Sequence, residues 1–106
     1  MRNNKIKYIE AYIYAKTLNQ ITKHTNTNNQ SKELSDNINR GFKLSENLLA
    51  VCEEKIKKLK LDDLSFLVLK KELEKPTTYE NSFSVNYKKI CEMLTDYDNY
   101  LNIVTS

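Results

Sequence analysis

Gly41 and Pro76 are the only glycine and the only proline in this chain of 106 residues. Hairpins and tight strand turns draw heavily on Gly and Pro, with Asn and Asp, to reach the backbone angles they need. An all-β domain of this length would need many such turns. A few helices in a bundle need only a short connection between each neighbouring pair. The same scarcity removes function classes. A P-loop or a dinucleotide-binding turn places several glycines where backbone meets phosphate, and one does not suffice.

The apolar residues repeat with helical spacing, which predicts an all-α fold: an antiparallel bundle of three to four helices in one domain spanning 1–106. Residues 3–24 read as the first helix. Ile6, Ile9, Ile13 and Ile21 fall near one face, with Tyr12 and Leu18 beside it. The wholly polar stretch 25–31 reads as a mobile loop. Residues 32–60 read as the longest helix, with Ser31 as N-cap. Its stripe runs Leu34, Ile38, Phe42, Leu48/Leu49, Cys52, Ile56 and Leu59. Gly41 interrupts it at a cost of about 1 kcal/mol relative to Ala. Two outcomes are open: a break at Arg40, or a notch of Gly41 and Ser45 where another helix crosses closely.

A short third helix is expected from about Leu64 to Leu73, capped by Asp62 or Asp63 and stopped by Pro76. Thr77–Glu80 fits a capping box. It would open a last helix running to about Val104, with the stripe Phe83, Tyr87, Ile90, Cys91, Leu94, Tyr97, Leu101 and Val104.

Residue types that carry chemistry are sparse. His24 is the single histidine, placed at the end of the first helix, where a cationic side chain suits the local dipole. Cys52 and Cys91 both fall on apolar stripes and read as buried structural thiols. Their wide separation suits a reducing cytosol better than a disulfide framework or a zinc site. Glu92, Asp96 and Asp98 read as surface charge. No catalytic residue, cofactor or metal ligand is expected. The longest apolar run, around Leu64 to Leu69, is far shorter than the ~20 residues of a membrane span.

Charge is distributed unevenly. Lys and Arg number 17 against 14 Asp and Glu, for a net charge of +3. The first sixty residues carry +6 and the remainder −3. A bundle that sets the first helix beside the last would be electrostatically complementary. The lysines Lys55, Lys57, Lys58 and Lys60 close the long helix. They fit either a solvated helix end or a grip on an acidic or nucleic-acid partner. No helix-turn-helix register fits around Gly41, because Asn37 and Asn47 occupy positions that want a small and an apolar residue. Tyr14 and Tyr100 fall off their stripes and are expected at the surface, where Tyr favours binding patches.

The candidate partner contacts are therefore Tyr14, Tyr100, Lys55, Lys57, Lys58 and Lys60. The expected function is non-enzymatic: a small cytosolic helical protein that binds another protein, of immunity, inhibitor or chaperone type, with homodimer formation open. Small basic helical bundles that protect bacteriocin producers are similar in size, charge and architecture, a likeness of fold with no shared motif behind it. The alternative is a small nucleic-acid-associated regulator using the basic N-terminal half. The abundance of Lys, Asn, Ile and Tyr over Ala, Gly, Pro and Arg points to an A/T-rich gene, from a low-GC bacterium, phage or mobile element.

Overall fold

The computed structural model describes residues 2–25, 31–58 and 82–105. These form helices α1 (Arg2–His24), α2 (Lys32–Lys58), α3 (Phe83–Thr95) and α4 (Tyr97–Thr105), packed as an all-α bundle. The expected third helix, the Asp62/Asp63 cap, Pro76 and the Thr77–Glu80 box lie outside the described residues, as does Lys60.

Helix α1 carries no Gly or Pro and ends where Thr25 closes its last turn. The Thr25 hydroxyl and backbone N–H both donate to the Ile21 carbonyl, at 2.6 and 3.1 Å. Thr25 is buried, so the expected polar loop does not begin there. Helix α2 starts on Ser31, whose Oγ accepts from the Leu34 N–H at 3.3 Å. This satisfies one of the donors that every helix start leaves unpaired.

Of the two outcomes open at Gly41, the structure takes the second. Helix α2 is continuous through Gly41, which is buried. A Cβ there would lie 3.3 Å from Thr22 Cγ2, 3.6 Å from Ile90 Cγ2 and 3.7 Å from Leu94 Cδ1. Gly41 is thus the point where α1, α2 and α3 come together. Ser45, one turn on, is fully buried and accepts from the Asn19 amide at 3.1 Å while donating to the Phe42 carbonyl at 2.7 Å. The small pair lets α1 and α2 approach, and the hydrogen bonds remove the cost of burying their polar atoms.

These contacts set the directions. Asn19 meets Ser45 and Thr22 meets Gly41, so α1 and α2 run antiparallel. The Asn37 amide donates to the Tyr87 hydroxyl at 2.8 Å, and the Asn47 amide to the Tyr97 hydroxyl at 3.4 Å. The same offset at both levels means that α3 and α4 run parallel to α2 and therefore antiparallel to α1. The two asparagines that spoil a helix-turn-helix register are here the residues that fix α2 against the C-terminal helices.

The buried core comprises Ala11, Tyr12, Tyr14, Ala15, Leu18 and Ile21 from α1; Ile38, Leu48, Cys52 and Ile56 from α2; and Ile90, Tyr97 and Val104 from the C-terminal helices. On α1 the centre of the buried face is therefore Ala11, Ala15 and Leu18. Ile9 and Ile13, expected on that face, are only half-buried at its flanks. Close approach to α2 selects small residues at the seam and moves the bulky isoleucines aside.

The last helix of the sequence pattern departs from expectation at Ser82 and at Asp96. It starts at Phe83, capped by Ser82, which is extended at φ −77, ψ 119 and accepts from the Val85 N–H at 3.4 Å. It is then interrupted at Asp96, where the backbone N–H turns back to the Met93 carbonyl at 3.0 Å. The Tyr14 hydroxyl donates to that same carbonyl at 2.5 Å. A side chain inserted into the helical ladder is a recognised cause of such breaks.

Candidate functional site

Tyr14 and Tyr100, two expected partner contacts 86 positions apart in sequence, stand against each other in space. Their rings stack with centroids 4.2 Å apart and planes 13° from parallel. The off-stripe position of Tyr14 nevertheless misled the surface expectation. Tyr14 is only 7% exposed, and its hydroxyl is spent on the Met93 carbonyl. Tyrosine is amphipathic, so a ring can go inward wherever its oxygen finds an acceptor. Here the break at Asp96 supplies the acceptor. Burial, with Asp96, Tyr100, Tyr97 and Asp98 adding negative potential, pushes the Tyr14 phenol well above its ordinary range. It stays protonated and keeps donating.

Tyr100 is half-buried and forms the accessible half of the pair. It lines an open groove of about 350 Å³ between α1 and the C-terminal helices, together with Glu10, Ile13, Thr17, Lys89 and Met93. The floor is apolar and aromatic, and the rim carries one carboxylate and one ammonium. The groove is suited to taking up an apolar or aromatic side chain, with polar groups at the edge to orient it. Glu10, Thr17, Lys89 and Met93 carry no mark in the sequence, and Ile13 reads there only as part of the apolar face of α1. Each is ordinary on its own helix, and only the antiparallel packing of α1 on α3 and α4 gathers them.

The lysines lie elsewhere. Lys57 and Lys58 are exposed in the last turn of α2, Lys55 is half-buried, and none of them lines the groove. Lys58 pairs with Glu54 at 3.8 Å, both side chains largely in solvent. His24 is exposed at the end of α1. Cys52 is fully buried, and burial, with Glu53 beside it, pushes its thiol up to about 11. Cys91 departs from expectation. It is half-buried and lines a smaller groove of about 200 Å³ with Asn37, Arg40, Leu94 and Thr95. Both cysteines are free thiols.

Among the described residues, no His, Cys, Asp or Glu cluster is arranged to hold a metal ion. None of their helices is long and apolar enough to cross a membrane. Comparison with protein-family models, curated proteins and solved structures finds no match for this chain.

Proposed function

We propose that this chain is a non-enzymatic, cytosolic helical protein that acts by holding another protein, as an immunity protein, inhibitor or chaperone does. The observation that carries the reading is the stacked tyrosine pair. Tyr14 is locked by burial and by its bond to the Met93 carbonyl, and it presents Tyr100 as a pre-ordered aromatic wall of an open groove. An aromatic ring that is already immobilised contributes contact area with little further entropic cost on binding. The groove is separate from Lys55, Lys57 and Lys58, and its single lysine, Lys89, shares the lining with Glu10, a balance that favours a protein partner over a polyanion.

The test is affinity capture from an extract of the native host, treated with nuclease, at low and at moderate salt. The expected result is a protein retained at moderate salt by the wild-type chain and lost with Tyr100→Ala, while circular dichroism shows the variant still helical. Retention that disappears with nuclease, or falls steeply as salt rises, would instead favour the nucleic-acid alternative. Sedimentation of the purified chain, alone and as Tyr100→Ala, tells a second copy from a different partner.

A further inference from the structure

The groove between α1 and the C-terminal helices has two unlike ends. Glu10, Ile13 and Thr17 stand at i, i+3 and i+7 on α1 and form one wall about 10 Å long. Lys89 and Met93, one turn apart on α3, and Tyr100 on α4 form the other. Because α1 runs antiparallel to α3 and α4, the Tyr100 end of that second wall lies toward Glu10 and the Lys89 end toward Thr17. The two charged residues of the lining therefore stand at opposite ends, with the apolar floor between them.

Glu10 and Lys89 are both exposed, and neither forms an ion pair with a described residue. Lys7, one turn from Glu10, and Glu92, one turn from Lys89, are not within ion-pair distance of them. Asp96 and Asp98 add negative potential at Tyr14. They lie between Met93 and Tyr100 in sequence, outside the lining, and leave Lys89 as the cation of the other end. An exposed charge by itself is only solvated surface. Two unpaired charges of opposite sign, set at the two ends of a floor that the tyrosine stack holds in place, specify a complementary pattern.

We infer that the groove seats an amphipathic helix of the protein partner, with a basic residue against Glu10, an apolar or aromatic anchor on the floor and an acidic residue against Lys89, at i, i+4 and i+7 of that helix. The inference rests on the protein-binding reading above and names the chemistry of that same site. A helix fits because its residues i, i+4 and i+7 share one face and span about 10 Å, the length of the α1 wall. In an extended strand three successive residues of one face span about 13 Å, longer than that wall. The mixed signs also select against a nucleic acid, whose phosphates would all oppose Glu10.

The test is selection against the wild-type chain from a displayed library of short helix-stabilised peptides randomised along one face, followed by fluorescence anisotropy of the enriched peptides. The expected result is enrichment of a basic, an apolar or aromatic and an acidic residue at i, i+4 and i+7, or the same order reversed, since a helix can lie in the groove in either direction. Glu10→Lys is expected to weaken such a peptide about fivefold, and the loss is recovered when the peptide's basic residue is changed to Glu. Lys89→Glu is expected to do the same, with recovery when the acidic residue is changed to Lys. Lys43→Glu, exposed on α2 and outside the groove, is expected to bind as wild type. Enrichment without the two charges, swaps that recover nothing, or enriched peptides that Tyr100→Ala does not weaken overturn the inference. So does a partner captured from extract that the peptide fails to displace, or a wild-type dimer that sediments as a monomer in Tyr100→Ala, which would seat a second copy in the groove. If the charge swaps fail while Tyr100→Ala still abolishes capture, the helix pattern falls and the protein-binding groove stands.

Discussion

Replacing Gly41 by Ala tests the close crossing of α1, α2 and α3 directly. In an open helix the change stabilises by about 1 kcal/mol, because Ala loses less backbone freedom than Gly. The new methyl would make ordinary contact with Ile90 and Leu94 at 3.6 and 3.7 Å, but it meets Thr22 Cγ2 at 3.3 Å. Thr22 cannot turn its methyl aside cheaply. Its hydroxyl donates to the Leu18 and Asn19 carbonyls, both at 2.9 Å, which pins the side chain. Relief must come from moving one helix off the other, and overpacking of this kind costs about 1–3 kcal/mol. The propensity gain offsets part of it, so Gly41→Ala should destabilise by about 1 kcal/mol. For a domain of this size that lowers the melting temperature by about 4–8 °C. Thr22→Ser keeps the hydroxyl and removes the clashing methyl. In that background Gly41→Ala should turn stabilising by about 1 kcal/mol, giving a coupling of about 2 kcal/mol between the two positions. Urea unfolding of the four proteins, followed by far-UV circular dichroism, measures the cycle. A Gly41→Ala protein that gains the full helical increment alone, with no coupling to Thr22→Ser, would refute the close crossing.

Tyr14→Phe keeps the ring stack but leaves the Met93 carbonyl with only the Asp96 N–H, and should cost about 1–2 kcal/mol in urea unfolding. Ser45→Ala removes the acceptor of the buried Asn19 amide and should cost about 1–3 kcal/mol by the same measurement, whereas an Asn19→Ala/Ser45→Ala double variant should cost less than the sum of the single changes. The Cys52 thiol is raised from 9.0 to about 11, so the folded state holds its proton more tightly than the unfolded state does. The stability it contributes is complete below pH 9 and is lost as pH rises through the folded value; Cys52→Ala should flatten that alkaline fall in a pH series of melting curves. A charged thiol reagent should label Cys91 well before Cys52 in the native protein, the reverse order being incompatible with their burial. His24→Ala should fold and bind as wild type, and a folded variant without biological activity would contradict the non-enzymatic reading.

What could be read in the residues alone is what periodicity and capping chemistry encode. The single Gly and single Pro argued for helices over a sheet. Ser31 marked the start of α2 because a hydroxyl there satisfies a donor that no other part of the helix can. The stripe from Ile38 to Ile56 marked its inner face because spacing fixes which side chains share a direction. Periodicity says which face is apolar but not what lies against it, and every revision has that origin. Gly41 looks the same in sequence whether it ends a helix or admits one, and only the presence of Thr22, Ile90 and Leu94 around it decided. The interruption at Asp96 is invisible in a stripe that continues from Leu94 through Tyr97 to Val104, because the phenol that takes the Met93 carbonyl comes from α1. Tyr14 read as a surface residue, and Asn37 and Asn47 only as misfits to a helix-turn-helix register, until their polar atoms met partners fifty or more residues away. The candidate sites follow the same division. Lysine clustering in α2 was legible. That Tyr100 rests on a buried Tyr14 came from the antiparallel packing of α1 against the C-terminal helices.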